Sequence, residues 1–211
     1  MTKLVLLSDT HTFHDEVIVP ECDILLCAGD FSSTGKAGEV KKFLDWYSVQ
    51  PATHKIYIAG NHDLSYEDSP EFKARMVHLY PNITYLEVSG INVCGLNIWG
   101  DPHQPWFCDW AFNLPRGIRL KEQWDKIPDD TDILVTHGPP HGILDTISFT
   151  GEHAGCLDML DRITKMNLKL VVFGHIHENY GQVKSGNTIY ANVGLCDDRY
   201  DIVNQPMVIE L

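Results

Sequence analysis

Residues 169–173 form a short, apolar, largely β-branched run, and Gly174-His175-Ile176-His177 follows it directly. Such a run reads as a buried strand. On extended backbone, residues i and i+2 point to the same side. A turn at Gly174 therefore aims both imidazoles into one space beyond the carboxyl end of the strand, where open α/β sheets hold their ligands. Earlier strands end in the same kind of chemistry. Any one of these ends could be a polar turn, but polar turns do not account for their joint occurrence.

In chain order, residues 3–7 form a first strand ending in Ser8-Asp9-Thr10-His11, and residues 24–28 a buried strand ending in Gly29-Asp30. Val40, Phe43, Leu44 and Tyr47 recur at helical spacing within residues 36–50, and Pro51 stops that helix. Residues 56–59 form a third strand, ending in Gly60-Asn61-His62-Asp63. Ser69-Pro70-Glu71 opens a short helix. Residues 83–85, 87–88, 91–93 and 96–99 read as short strands of a second sheet. Residues 100–119 are aperiodic and rich in proline and aromatic side chains, and loops of that length are usually functional. Residues 133–136 form a further strand, ending in His137-Gly138-Pro139-Pro140, and Cys156, Met159, Leu160 and Ile163 mark a helix. Closing strands fall at 182–184, 188–191 and 207–209, with Ser185-Gly186-Asn187 as a hairpin turn. Helices alternating with strands early and strand-rich stretches late predict two packed sheets flanked by helices. Residues 1–211 read as one domain.

Composition narrows the partners. The net charge is −13, which repels long nucleic acids and anionic membranes but leaves a small anion possible where bound metals invert the local field. No stretch approaches the ~18 apolar residues that a membrane span requires. The apolar run at residues 4–7 is too short for a signal peptide, and the six cysteines lack C-x-x-C spacing. Reduced thiols and a cytoplasmic location are the expectation.

The strand ends together offer Asp9, His11, Asp30, Asn61, His137, His175 and His177. Carboxylates, imidazoles and one amide without thiolate suit borderline divalent ions such as Mn²⁺, Fe²⁺ or Zn²⁺. Seven donors exceed the need of one ion, and two ions sharing a carboxylate account for the count.

This five-part set, Asp9-x-His11, Gly29-Asp30, Gly60-Asn61-His62-Asp63, His137 and Gly174-His175-x-His177, resembles the calcineurin-like metallophosphoesterases over nearly the whole chain. The resemblance implies a four-layered α/β/β/α sandwich of two mixed sheets flanked by helices. It implies that Asp9, His11, Asp30 and His177 bind one divalent ion and Asp30, Asn61, His137 and His175 the other, with Asp30 bridging. Mn²⁺ is the first expectation, and Fe, Zn, Ni or Co the alternatives. His62 would be the catalytic histidine and Asp63 would orient it. Two ions about 3.5–4 Å apart can clamp phosphoryl oxygens and generate a hydroxide for in-line attack. A histidine beside them can protonate the departing alkoxide.

Within the superfamily, Gln104-Pro105-Trp106, residues 110–117, His137-Gly138-Pro139-Pro140 and Gly174-His175-Ile176-His177-Glu178 are similar to the small metallophosphoesterase-domain-containing branch. That branch is associated with phosphodiesterase activity, including on cyclic nucleotides. Some of its members carry glycine where this chain has His175. Protein serine/threonine phosphatases carry an arginine soon after Gly-Asp, whereas this chain continues Phe31-Ser32-Ser33, which argues against phosphoproteins. The leading expectation is a dimetal enzyme for small phosphodiesters. A phosphomonoesterase or nucleotide pyrophosphatase on the same core, and a non-catalytic scaffold, are the alternatives. Arg116, Asn113 and Trp106 are the candidates for touching substrate, with a structural salt bridge the competing role for Arg116. His103, His141 and His153 sit in loops a cleft could use, while His14, His54 and His78 read as surface or helix-edge side chains. The oligomeric state stays open.

Overall fold

The computed structural model describes all 211 residues. Thirteen strands and five α-helices follow one another along the chain. The first half contains β1 (Lys3–Leu7), β2 (Cys22–Cys27), α1 (Ala37–Ser48), β3 (Ala52–Tyr57), α2 (Ser65–Asp68), α3 (Pro70–Leu79), β4 (Thr84–Tyr85), β5 (Ser89–Val93) and β6 (Leu96–Asp101). The second half contains β7 (Gln104–Pro105), β8 (Asn113–Leu114), α4 (Ile118–Trp124), β9 (Ile133–Thr136), α5 (Leu157–Ile163), β10 (Leu170–Phe173), β11 (Gly181–Ser185), β12 (Thr188–Asn192) and β13 (Met207–Glu210).

Two sheets carry the architecture, ordered β13-β1-β2-β3-β4 and β11-β12-β10-β9-β6-β5. Alternation along the strands decides the layers. Leu4 and Leu6 of β1, Ile24 and Leu26 of β2 and Ile56 of β3 face Ile98, Ile133, Val135, Leu170 and Val172 of the other sheet in one buried core. Val5, Leu7, Leu25 and Tyr57 point the opposite way, onto Val40, Phe43, Leu44 and Tyr47 of α1. Leu134, Val171 and Phe173 turn outward onto Leu120 and Trp124 of α4 and Met159 and Ile163 of α5. Every strand in the middle of the sandwich is covered on both faces, which is why the sequence reads as continuous apolar runs rather than alternating ones. The result is the expected helix–sheet–sheet–helix order.

One strand is assigned differently by the structure. β4, expected in the second sheet, pairs with β3 at the edge of the first, Ile56 opposite Thr84 and Tyr57 opposite Tyr85. A two-residue strand carries no periodicity to fix its partner. The closing strands also divide: β11 and β12 form the expected hairpin about Gly186 in the second sheet, whereas β13 returns to pair with β1. His14, expected on the surface, is buried against Phe43 and Trp46.

The central parallel strands of both sheets end on the same side. β1 pairs with β2 and β2 with β3, while β6 pairs with β9 and β9 with β10, all in parallel. A residue after β1 also bridges to the segment after β12, Ser8 to Gly194, which ties the two sheets at that end.

Candidate metal centre

At this end the chain adopts left-handed backbone at Asp9 (φ 53°), His11 (φ 39°), Asp30 (φ 51°) and His175 (φ 68°). Each such non-glycine residue costs on the order of 1 kcal/mol. The turns redirect the chain sharply enough to gather these side chains in one space beyond the strand ends. The motif glycines are dictated by contact. A Cβ on Gly60 would strike the carboxylate of Asp30, and one on Gly174 would strike the side chains of Asp9 and Ser8. Gly174→Ala is therefore expected to displace Asp9 and lower stability by roughly 3 kcal/mol or more. Thermal unfolding of the apo protein, with Mn²⁺ titration of the variant, measures both effects.

Three overlapping groups bring their donor atoms within 4.8 Å of one another: Asp9, His11 and His177; His11, Asp30 and His62; and Asp30, His137 and His175. The backbone holds the carboxylates. Asp9 accepts from the His175 amide at 3.1 Å, and Asp30 from the His62 amide at 2.8 Å.

Hydrogen bonds to carbonyls fix the tautomers of the imidazoles. His137 donates from Nδ1 to Ala28 O at 2.8 Å, and His177 from Nδ1 to Asp197 O at 2.9 Å. Both rings therefore present an Nε2 lone pair inward when neutral. For His137 that lone pair meets Asn61 Oδ1 at 2.9 Å and Asp30 Oδ2 at 3.2 Å. For His177 it meets Asp9 Oδ1 at 3.3 Å and His11 Nε2 at 3.3 Å. In both places an imidazole lone pair faces a carboxylate oxygen, which a cation or a proton relieves. Protein charges give the same answer. Burial lowers the pKa of His137, but Asp30, Asp9 and the Ala28 carbonyl together outweigh it and hold the group up at about 9. Burial likewise lowers that of His177, and Asp9 lifts it to about 9. Burial keeps His11 down at about 4 and His175 at about 3, so these two stay neutral donors. The donor set fits two divalent cations.

The sequence model of the calcineurin-like phosphoesterases matches residues 2–179. The chain belongs to this family. It is 41% identical over 231 residues to human metallophosphoesterase domain-containing protein 1, covering 100% of this chain and 71% of the relative. It is 33% identical over 217 residues to a UPF0046 protein of Caenorhabditis elegans, covering 98% and 74%. Two solved structures share the fold. TT1561 of Thermus thermophilus has a TM-score of 0.63 at 15% identity, with 92% and 89% of the chains covered. Phosphopantetheinyl hydrolase of Mycobacterium tuberculosis has 0.62 at 16%, with 94% and 90% covered. The family carries a dinuclear divalent metal centre and hydrolyses phosphoric esters, and this chain retains a carboxylate, imidazole or amide at each expected ligand position.

His62 stands beside the centre with its Nδ1 donating to Ser33 O at 2.8 Å, which leaves Nε2 free. Trp110 stacks on its ring, centroids 4.1 Å apart and 26° between planes, and His11 meets its edge. Asp63 is placed differently from expectation. Its carboxylate accepts from Ser32 N at 3.0 Å, Ser32 Oγ at 2.6 Å and Gly60 N at 2.8 Å, and it is the Ser33 carbonyl that takes the imidazole N–H. Asp63 therefore positions His62 indirectly, by fixing the Ser32-Ser33 turn.

The three substrate candidates lie apart from this cluster of contacts. Asn113 Nδ2 donates to the carbonyls of Phe107, Cys108 and Trp110, and its oxygen accepts from the Phe107 amide. Arg116 donates to the carbonyls of Gly155 and Ala154 at 2.8 and 2.7 Å. Both side chains staple the 107–116 loop. Arg116→Ala is expected to destabilise the fold by about 1 kcal/mol, because water can reach the carbonyls it frees, with metal content unchanged, as urea denaturation and metal analysis would show. Trp106 is 60% exposed, whereas the aromatic rings on the site histidines are those of Trp110, Phe107 and Tyr200. His103 is paired with Asp101, and His153 with the buried Asp145, at 2.7 and 2.6 Å. His141 lies 3.8 Å from the same Asp145.

Proposed function

We propose that this chain hydrolyses small phosphodiesters, cyclic nucleotides among them, at a two-metal centre. The observation that carries the reading is the pair of clusters in which an imidazole Nε2 faces a carboxylate, linked through Asp30 Oδ2, which lies 3.2 Å from His137 and 3.8 Å from His11, with the free Nε2 of His62 at their edge. Asp9, His11 and His177 would hold one ion, Asn61, His137 and His175 the other, with Asp30 between. Two bound divalent ions would polarise phosphoryl oxygens and acidify water for in-line attack.

The chain's own residues do the rest. Asp9 and Asp30 have only histidines as charged partners, so no lysine or arginine adds fixed positive charge at the floor of the site. A singly charged diester demands less compensation there than a doubly charged monoester. The Ser33 carbonyl holds the His62 proton on Nδ1, so a second proton can be carried only on Nε2 and be delivered outward to a departing oxygen. Trp110 fixes the plane of that ring and excludes water from one of its faces.

The test is turnover of Mn²⁺-reconstituted protein on cyclic nucleotides, acyclic diesters and monoesters of matched leaving group. Diester kcat/KM above monoester kcat/KM supports the reading. The reverse order would assign the chain to monoesters, and no turnover of either would leave the scaffold alternative. No helix is long and apolar enough to cross a membrane.

A further inference from the structure

We propose that Tyr200 forms, with Trp110 and Phe107, an aromatic wall around the metal centre, and that this wall selects phosphoesters whose organic group carries a flat aromatic ring. The inference rests on the two-metal phosphoesterase reading for where the phosphoryl group sits, and adds the class of organic group.

Tyr200 lies between β12 and β13, beyond the residues 2–179 that the family model matches. Its ring centroid is 4.7 Å from that of His11, 5.6 Å from His177 and 6.2 Å from His62, and it meets all three steeply, at 87°, 85° and 65°. The ring thus meets the imidazoles of His11 and His177 edge to face instead of stacking on them. On the other group, Phe107 stands 5.6 Å from His175 at 83°. The polar floor is flanked by a ring at either donor group, and Trp110 lies against His62.

The loop bearing Tyr200 is built to hold it. Asp197 Oδ1 accepts from the amides of Arg199 and Asp201 at 2.9 and 3.0 Å, and the Tyr200 amide donates to Asp197 O at 3.1 Å. That carbonyl also accepts the Nδ1 proton of His177, so the loop and a candidate metal ligand share one anchor. Tyr200 itself takes left-handed backbone, φ 66°, a conformation that is costly for a bulky residue. Despite this anchoring Tyr200 is 43% exposed, as Phe107 is 49% exposed. Each ring therefore keeps apolar surface open beside a polar floor.

A phosphoryl group on that floor forces its organic substituent against the rings. An aromatic substituent can stack or meet them edge-on, which a small alkyl group cannot reproduce. Stacking one ring is worth roughly a factor of ten or more in affinity.

The experiment uses phenylphosphonate and methylphosphonate, which share the phosphonate and differ in the ring. Their affinities for the Mn²⁺-loaded full chain are measured by calorimetry in the parent protein, Tyr200→Ala and Tyr200→Phe. The parent is expected to prefer phenylphosphonate by about tenfold or more, and Tyr200→Ala to cut that preference at least about fivefold. Tyr200→Phe should keep it, and methylphosphonate affinity should stay within about twofold throughout. The proposal is overturned if the parent shows no phenyl preference or binds neither compound, or if the preference survives in Tyr200→Ala. It is equally overturned if Tyr200→Ala loses both ligands alike, which would assign the ring to propping His11 and His177. Neither phosphonate is hydrolysed, so failure of diester turnover, which would sink the activity reading, leaves this result separately readable.

Discussion

Asp30→Asn is expected to abolish turnover at every Mn²⁺ concentration, a loss of about 10³-fold or more, equivalent to several kcal/mol of transition-state stabilisation. Asp30 is the one carboxylate common to two of the three donor groups, and its second oxygen faces both His137 and His11. Burial alone would raise its pKa, yet His137 and the neighbouring imidazoles hold it well below the usual carboxylate range. Asparagine keeps the shape and the acceptor for the His62 amide, so the fold is expected to persist in circular dichroism while the shared charge is lost. His177→Ala removes a donor from one group only and should regain part of its activity in excess Mn²⁺. An Asp30→Asn enzyme with near-normal kcat would remove the bridging role from Asp30.

His62→Ala should lose activity according to the leaving group. A ribose hydroxyl departs poorly without a proton, whereas a nitrophenolate needs none. General acid catalysis contributes about 10²–10⁴-fold, and a loss of that size is expected for the ribose ester. For a nitrophenyl diester the loss should be far smaller. Because Asp63 acts on His62 only through the Ser32-Ser33 turn, Asp63→Asn should show the same dependence in weaker form. The measurement is kcat on both substrates for each variant with metal content determined. Equal losses on both would place His62 on phosphate binding or charge stabilisation instead.

The site was legible where chemistry sits at the end of a periodic run. Leu4–Leu7, Ile24–Cys27, Ile133–Thr136 and Leu170–Phe173 each announce a buried strand, and Asp9, Asp30, His137 and His175 follow at once. The same parallel pairing that buries those runs lines up their ends. Contacts made through backbone left no such trace. The Ser33 carbonyl orients His62, and a carbonyl has no sequence identity, so Asp63 next door looked like the partner. Tyr200 is a single aromatic residue in an aperiodic stretch, brought to His11 only by the return of the chain toward β13. Asn113 and Arg116 carry groups suited to phosphate, yet nearby carbonyls hold them, a competition that composition does not reveal. β4 pairs with β3 instead of joining the second sheet, and two residues display no period from which that partner could be read.

The most direct test of a two-metal centre bridged by Asp30 is electron paramagnetic resonance of Mn²⁺-loaded protein, with the metal counted on the same sample. The account predicts two Mn²⁺ per chain and the spectrum of an exchange-coupled pair, with coupling lost in Asp30→Asn and a single uncoupled ion in His177→Ala at limiting Mn²⁺. A parent protein that binds no Mn²⁺, or two ions that show no coupling, would contradict it.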